Sequence, residues 1–122
     1  MISLRSFSAL TVLLLVCSIT GCDSGPAAPK SDEELRLTPQ QASGRRVFDA
    51  YCIACHEAYV DRAKHGPPLL GLYKKPAMPS GAPANDERVR ENINLGRAKM
   101  PGFSNTLSEE QMQDLIAYLH TL

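Results

Sequence analysis

The most informative short stretch of this sequence is CIACH, residues 52–56. Cys52 and Cys55 are separated by two residues, and His56 follows the second cysteine directly. This spacing is compatible with three kinds of chemistry: a redox-active disulfide, half of a zinc site, or covalent attachment of haem through two thioether bonds. The rest of the chain has to decide among the three.

Zinc and a redox disulfide are both disfavoured. Structural zinc needs four ligands, normally with a second Cys or His pair at short spacing, and His65 and His120 form no such pair. A thioredoxin-like disulfide requires a strand before the motif, but the residues before Cys52 have a helical pattern. Haem attachment fits, because both thiols can add to the vinyl groups of haem and the adjacent histidine then falls under the iron.

The first 21 residues predict a cleaved secretory signal. Arg5 is their only charge, and residues 9–16 form an apolar run that is short for a membrane span. A basic start, a short apolar centre and a small-residue exit are typical of a signal peptide. A membrane-spanning anchor is the alternative, which the polar residues Thr11 and Ser18 disfavour.

The end of this segment, Ile19-Thr20-Gly21-Cys22, resembles the lipobox of bacterial lipoproteins. The resemblance implies that the Cys22 thiol is acylated and that the signal is cut just before it. Stable anchoring takes more than one acyl chain, and the lipoprotein pattern supplies several. The alternative is a plain secretory signal that leaves Cys22 in a loop. Asp23, directly after the cysteine, resembles the inner-membrane retention signal of enteric bacteria.

The charge balance of the exported chain excludes one class of partner. Without residues 1–21 the chain has 12 Lys and Arg against 13 Asp and Glu, a formal charge of −1. Nucleic-acid binding normally needs a basic face. We therefore expect no nucleic-acid partner.

Composition divides the exported chain into a tether and one domain. Residues 22–37 are rich in Pro, Ala, Ser, Gly and charge, which predicts a flexible tether. The folded domain is expected to cover residues 38–122. About 85 residues form a thin core, so such a domain often needs an additional stabilising group.

Three helices are predicted, and no segment alternates with the period of a strand. Thr38 and Pro39 predict a helix start, followed by an apolar face that includes Gly44 and Phe48. Asn85 predicts the start of a second helix that runs to about residue 95. Ser108 predicts the third start, as part of a capping box. The fold class is therefore all-α, with irregular loops between the helices.

The flanks of CIACH extend the argument beyond the motif itself. The spacing from Gly44 through Phe48 to CIACH resembles the first helix and haem site of the class I c-type cytochromes, small bacterial monohaem members in particular. GPPL, residues 66–69, resembles the loop below the haem in that family. GRAKMPGF, residues 96–103, resembles the segment that carries the distal ligand. The resemblance covers roughly residues 38–122, and its motifs occur in the family's order.

The resemblance implies a small cytochrome c fold around one haem c, held covalently by Cys52 and Cys55. His56 and Met100 are implied as the axial iron ligands, and residues of the 66–69 loop as part of the haem pocket. The pocket residues implied are Gly66, Pro67 and Leu69. A methionine and a histidine together raise the haem potential and complete the ligand set.

Other residues could in principle ligate the iron. Met78 also precedes a proline, but its loop offers few apolar neighbours in sequence, so it is the second choice. Met112 lies on a predicted helix face and is expected in the core. His65 would suit a bis-histidine variant, and a surface position is the simpler interpretation. His120, near the end of the chain, is expected to be solvated.

The implied function is electron transfer rather than catalysis. We expect a monomeric carrier of single electrons between redox proteins, anchored to a membrane through lipid and facing the periplasm. One alternative is a cytochrome subunit of a dehydrogenase complex. Another is a gas sensor or enzyme with an open iron site, which would require that Met100 does not bind.

Overall fold

The computed structural model describes residues 30–122. The predicted signal peptide, Cys22 and the tether up to residue 29 lie outside these residues. The described part contains helices α1 (Pro39–Tyr51), α2 (Asp86–Leu95) and α3 (Glu109–Leu119), and a short 3₁₀ helix at Leu72–Lys74. Within residues 30–122, β-type pairing is limited to one bridge between Arg97 and Met100. The predicted all-α class is confirmed.

The three helices begin where the polar caps predicted. Thr38 and Gln41 form a reciprocal capping box at the start of α1, and Ser108 and Gln111 form another at the start of α3. The side chain of Asn85 accepts a hydrogen bond from the backbone N–H of Arg88 at the start of α2. Each of these bonds satisfies a backbone donor that the first helical turn leaves without a partner.

Helices α1 and α3 form the main helix–helix interface, and their crossing requires Gly44. A Cβ atom on Gly44 would lie 2.8 Å from Cβ of Tyr118, and closer still to the carbonyl oxygen of Asp114. The rings of Phe48 and Tyr118 meet one turn further along, with centroids 5.5 Å apart. The first and last helices therefore cross where Gly44 meets Asp114 and Tyr118.

The apolar core extends from this crossing to α2 and to the 3₁₀ helix. Tyr118, Phe48 and Leu115 are its largest fully buried side chains. The full set of buried apolar residues is Val47, Phe48, Ala58, Leu72, Met78, Val89, Ile93, Met112, Leu115, Ile116, Tyr118, Leu119 and Leu122. Within residues 30–122, no helix has the length and apolarity needed to cross a bilayer.

The chain just before α1 is held against the domain. Residues 32–36 form a turn, and Leu37 packs on the core. The carboxylate of Asp32 accepts a hydrogen bond from the Arg45 guanidinium at 2.7 Å. The last part of the predicted tether therefore contacts α1.

We expect Gly44→Ala to destabilise the haem-loaded domain by up to about 2 kcal/mol. Alanine would gain about 1 kcal/mol in helix propensity, but the added methyl meets backbone of α3 that has no room to move, and overpacking of this kind costs about 1–3 kcal/mol. Urea unfolding measures the difference. Gln40→Ala, at an exposed position of the same helix, is the control and should change stability little. Equal stability of both variants would contradict the close crossing.

Candidate haem-binding site

The CIACH stretch forms a tight turn directly after α1. The N–H of Cys52 donates to the carbonyl of Phe48 at 2.8 Å, which continues the helical pattern by one residue. The N–H groups of Cys55 and His56 then both donate to the carbonyl of Cys52, at 3.0 and 2.9 Å. The turn brings the two cysteines and the histidine together at the end of one helix.

Both cysteines are free thiols and partly buried. Burial, with smaller effects of Cys55 and Asp49, raises the pKa of the Cys52 thiol to about 11. A thiol with a raised pKa is a poor thiolate nucleophile, which disfavours disulfide-exchange chemistry. Within the described residues, no cluster of three or more His, Cys, Asp or Glu side chains could hold a metal ion. The zinc interpretation therefore gains no support from the structure.

His56 is a buried polar side chain, with 9% of its surface exposed. Its Nδ1 lies 2.8 Å from the carbonyl oxygen of Pro67. Because a carbonyl only accepts, Nδ1 carries the proton, and the lone pair of Nε2 is available for a metal. A hydrogen bond of this kind fixes the tautomer and the orientation of a metal-binding imidazole.

The loop that contains Pro67 encloses the imidazole closely. A Cβ atom on Gly66 would lie 2.5 Å from Cε1 of His56 and 2.9 Å from Nδ1, so any larger residue would displace the ring. The N–H of Gly66 donates to the carbonyl of Cys55 at 2.8 Å, and the N–H of Leu69 donates to the carbonyl of Glu57 at the same distance. The structure thus places Gly66 and Pro67 directly against the imidazole of His56. These residues and the two thiols fit a haem held through CIACH.

The loop between His56 and Gly66 is held by charged side chains. Glu57 accepts a hydrogen bond from Arg62 at 2.7 Å, and this bond lowers the pKa of the Glu57 carboxyl. The ammonium group of Lys64 donates to the carbonyl of Ile53 at 2.9 Å. His65 lies on this loop and is exposed.

Met100 lies in a segment that folds back on the end of α2. Arg97 and Met100 exchange two backbone hydrogen bonds, at 3.0 and 2.9 Å, and so close a tight turn. Gly96 enters this turn with a φ of 72°, and a Cβ atom there would lie 2.5 Å from the Met100 carbonyl oxygen. The Met100 side chain is partly buried and packs against the core.

The structure corrects our expectation that Met78 has little apolar support. Its side chain is 9% exposed and belongs to the core, although its loop offers few apolar neighbours in sequence. The amide of Asn92, on α2, approaches the Met78 sulfur at 3.3 Å. The apolar support therefore comes from other parts of the fold, and the sulfur already has a hydrogen-bond donor.

The two remaining candidates lie where the sequence placed them. Met112 is 2% exposed and part of the core. His120 is exposed, and its Nε2 lies 2.7 Å from a carboxylate oxygen of Asp86. The ring of His120 also stacks on Tyr73 with centroids 3.8 Å apart. Met112 thus serves the core, and His120 is engaged by Asp86 and Tyr73.

Two aromatic contacts near the site were missed in the sequence analysis. The hydroxyls of Tyr59 and Tyr118 are 2.6 Å apart, which ties the loop after CIACH to α3. Burial, followed by this hydrogen bond, raises the pKa of Tyr118 well above its ordinary value. The rings of Tyr51 and Phe103 meet edge to face at 6.2 Å. Both contacts join residues far apart in the chain, and no local spacing predicts them.

Comparisons with known proteins agree with this geometry. Residues 39–119 match the family described as cytochrome C oxidase, cbb3-type, subunit III. The chain is 30% identical over 114 residues to cytochrome c6 of Thermosynechococcus vestitus, which covers 93% of this chain and 86% of that protein. It is 31% identical over 80 residues to cytochrome c6 of Leptolyngbya boryana, covering 64% and 87% of the two chains.

A further relative is a much larger protein. Over 104 residues the chain is 33% identical to a nicotinate dehydrogenase subunit of Pseudomonas putida, which covers 76% of this chain but 8% of that protein. The family match spans most of the described residues and includes the whole of CIACH. The chain therefore belongs to the class I c-type cytochromes, in which haem c is bound covalently through CxxCH, and it is an electron-transfer protein rather than an enzyme.

Proposed function

We propose that this chain is a monomeric, membrane-tethered cytochrome c that faces the periplasm and carries single electrons between redox proteins, with His56 and Met100 as the axial ligands of the iron. The observation that carries this proposal is the 2.8 Å hydrogen bond between His56 Nδ1 and the Pro67 carbonyl, which leaves Nε2 free for a metal. When bound, haem supplies a one-electron couple, whose potential is raised by ligation through histidine and methionine.

The choice of Met100 over Met78 depends on what each sulfur contacts. The Met78 sulfur accepts the Asn92 amide at 3.3 Å, and its side chain serves the core. The Met100 backbone is held by the turn with Arg97, and the following Pro101 favours an extended backbone at residue 100. These features support Met100 as the second ligand.

We expect Met100→Leu to remove the weak long-wavelength absorption band of methionine-ligated ferric haem, to lower the reduction potential, and to allow carbon monoxide to bind the reduced protein. The matched change Met78→Leu conserves volume, should cost less than about 1.5 kcal/mol, and should keep the band. Visible spectra and a potentiometric titration of the haem-loaded domain measure both effects. A band that survives in Met100→Leu would contradict the proposed ligand, and rapid carbon monoxide binding by the parent protein would favour the open-iron alternative.

A second candidate function is that of a cytochrome subunit in a dehydrogenase complex. The 33% identity to a small part of a nicotinate dehydrogenase subunit favours it. Purification from the native membrane without crosslinking separates the two candidates. On size-exclusion chromatography, a carrier elutes at the size of the single chain, whereas a subunit elutes together with its dehydrogenase.

The tether is proposed to begin at a lipid-bearing Cys22. The support is the sequence Ile19-Thr20-Gly21-Cys22. Because Asp32 is paired with Arg45 at 2.7 Å, the chain from Cys22 to Asp32 limits how far the domain extends from the membrane. Ten residues span at most about 35 Å when fully extended. This distance is enough to hold the domain near the membrane while leaving it free to turn.

We expect the N-terminal peptide of the parent protein to begin at an acylated Cys22, and Cys22→Ser to lose both the acyl chains and the cut before residue 22, because the cut follows acylation of the thiol. Cell fractionation, with mass spectrometry of the N-terminal peptide, measures this. Cys17→Ser is the matched control, since that residue would leave with the signal, and it should stay in the membrane fraction. A parent protein that lies in the membrane fraction with residues 1–21 intact and Cys22 unacylated would instead indicate a membrane-spanning anchor.

A further inference from the structure

We infer that Tyr51 is a positioning residue, which holds the Met100 segment closed through its ring contact with Phe103. The inference rests on the proposed role of Met100 as an iron ligand. The contact joins two parts of the chain that carry different halves of the site. Tyr51 is the last residue of α1 and directly precedes Cys52, while Phe103 lies three residues after Met100.

Backbone contacts attach the Met100 segment to α2. The N–H of Phe103 donates to the carbonyl of Ile93 at 2.9 Å. A Cβ atom on Gly102 would lie 2.6 Å from the carbonyl oxygen of Asn94, so the two stretches of chain lie against each other here. These contacts fix the segment relative to α2. They do not fix it relative to α1, which packs mainly on α3 and carries CIACH at its end.

Phe103 is well placed to transmit a contact to Met100. Its carbonyl accepts the N–H groups of Thr106 and Leu107, at 2.9 and 3.0 Å, and its N–H is bound to Ile93. The backbone of Phe103 is therefore held on both sides. Loss of its ring contact would therefore affect the short stretch from Phe103 back to Met100 rather than a free loop.

The geometry of the ring pair is that of a favourable aromatic contact. The centroids of Tyr51 and Phe103 are 6.2 Å apart and the planes meet at 69°, within the range for edge-to-face pairs. Tyr51 is nevertheless 41% exposed, so it contributes little to the buried core. Its aromatic contact is therefore better explained by a local role, the closure of the segment against the end of α1, than by general stability.

The expected consequence is a change in the local opening equilibrium of residues 97–103, since segments of a fold can open without global unfolding. Loss of an aromatic pair of this kind changes an equilibrium about two- to twelve-fold. An external ligand that competes with Met100 for ferric iron reports this equilibrium, because it binds only when the segment opens.

The test is a titration of the ferric, haem-loaded domain with imidazole. The loss of the methionine–iron absorption band is measured at each imidazole concentration. We expect Tyr51→Leu and Phe103→Leu each to raise the apparent imidazole affinity about two- to twelve-fold. The double variant should differ little from the single variants, because both remove the same contact. Tyr51→Phe keeps the ring and should behave as the parent protein.

Tyr59→Leu is the matched control, because Tyr59 is also 41% exposed but contacts Tyr118 rather than the Met100 segment. It should lower the free energy of unfolding in urea and leave the imidazole affinity unchanged. An equal rise in imidazole affinity in Tyr59→Leu would indicate general loosening and would overturn the inference.

The remaining outcomes separate this inference from the proposed function. If the parent protein shows the methionine–iron band and Tyr51→Leu binds imidazole no more tightly, Met100 stands as the ligand and the role of Tyr51 is refuted. If the parent protein lacks the band, the assignment of Met100 fails, and the positioning role of Tyr51 fails with it.

Discussion

The crossing of α1 and α3 at Gly44 is the constraint on which the rest of this structure depends. No side chain separates the two backbones at that point, so the position of α1 relative to the core is set within a narrow range. Because CIACH directly follows α1 and the N–H groups of Cys52 and Ile53 bond back to Phe48, the crossing also sets where both thiols and His56 lie. The ring contact between Phe48 and Tyr118 continues the same interface. A small domain with a thin core thus gives its tightest packing to the helix that ends in the cofactor motif.

The segments that carry the two candidate ligands, His56 and Met100, are held in different ways. On the side of His56, neighbouring stretches of chain bond directly to each other: Gly66 to Cys55, Leu69 to Glu57, and the imidazole to Pro67. On the side of Met100, the chain is bonded to the end of α2 and reaches α1 through the ring contact of Phe103. The first arrangement is local and dense. The second depends on the position of α2 relative to α1. A single side chain there therefore has more influence on the position of the Met100 segment.

Local signals in the sequence were sufficient to predict where the helices begin. The caps at Thr38, Asn85 and Ser108 each act within one turn, and all three helices begin where those residues predicted. The loop around His56 was accessible through its resemblance to a known family. The burial of Met78 could not be predicted from the sequence, because its apolar neighbours and the Asn92 amide come from distant parts of the chain. The same reason applies to the contacts of Tyr51 and Tyr59, whose partners lie far along the sequence and follow no periodic spacing.

The way both candidate ligands are held favours electron transfer over gas binding. An electron carrier works best when its ligand set is the same in both oxidation states, so that little atomic rearrangement accompanies the transfer. His56 is fixed by a hydrogen bond and by the close approach of Gly66, and the Met100 backbone is closed in a turn that is itself bonded to α2. A gas sensor would instead need a distal position that opens readily. With Met100 as the proposed distal ligand, the backbone bonds that hold residues 97–103 would resist such opening, and the chain would be better suited to passing electrons than to binding a diatomic ligand.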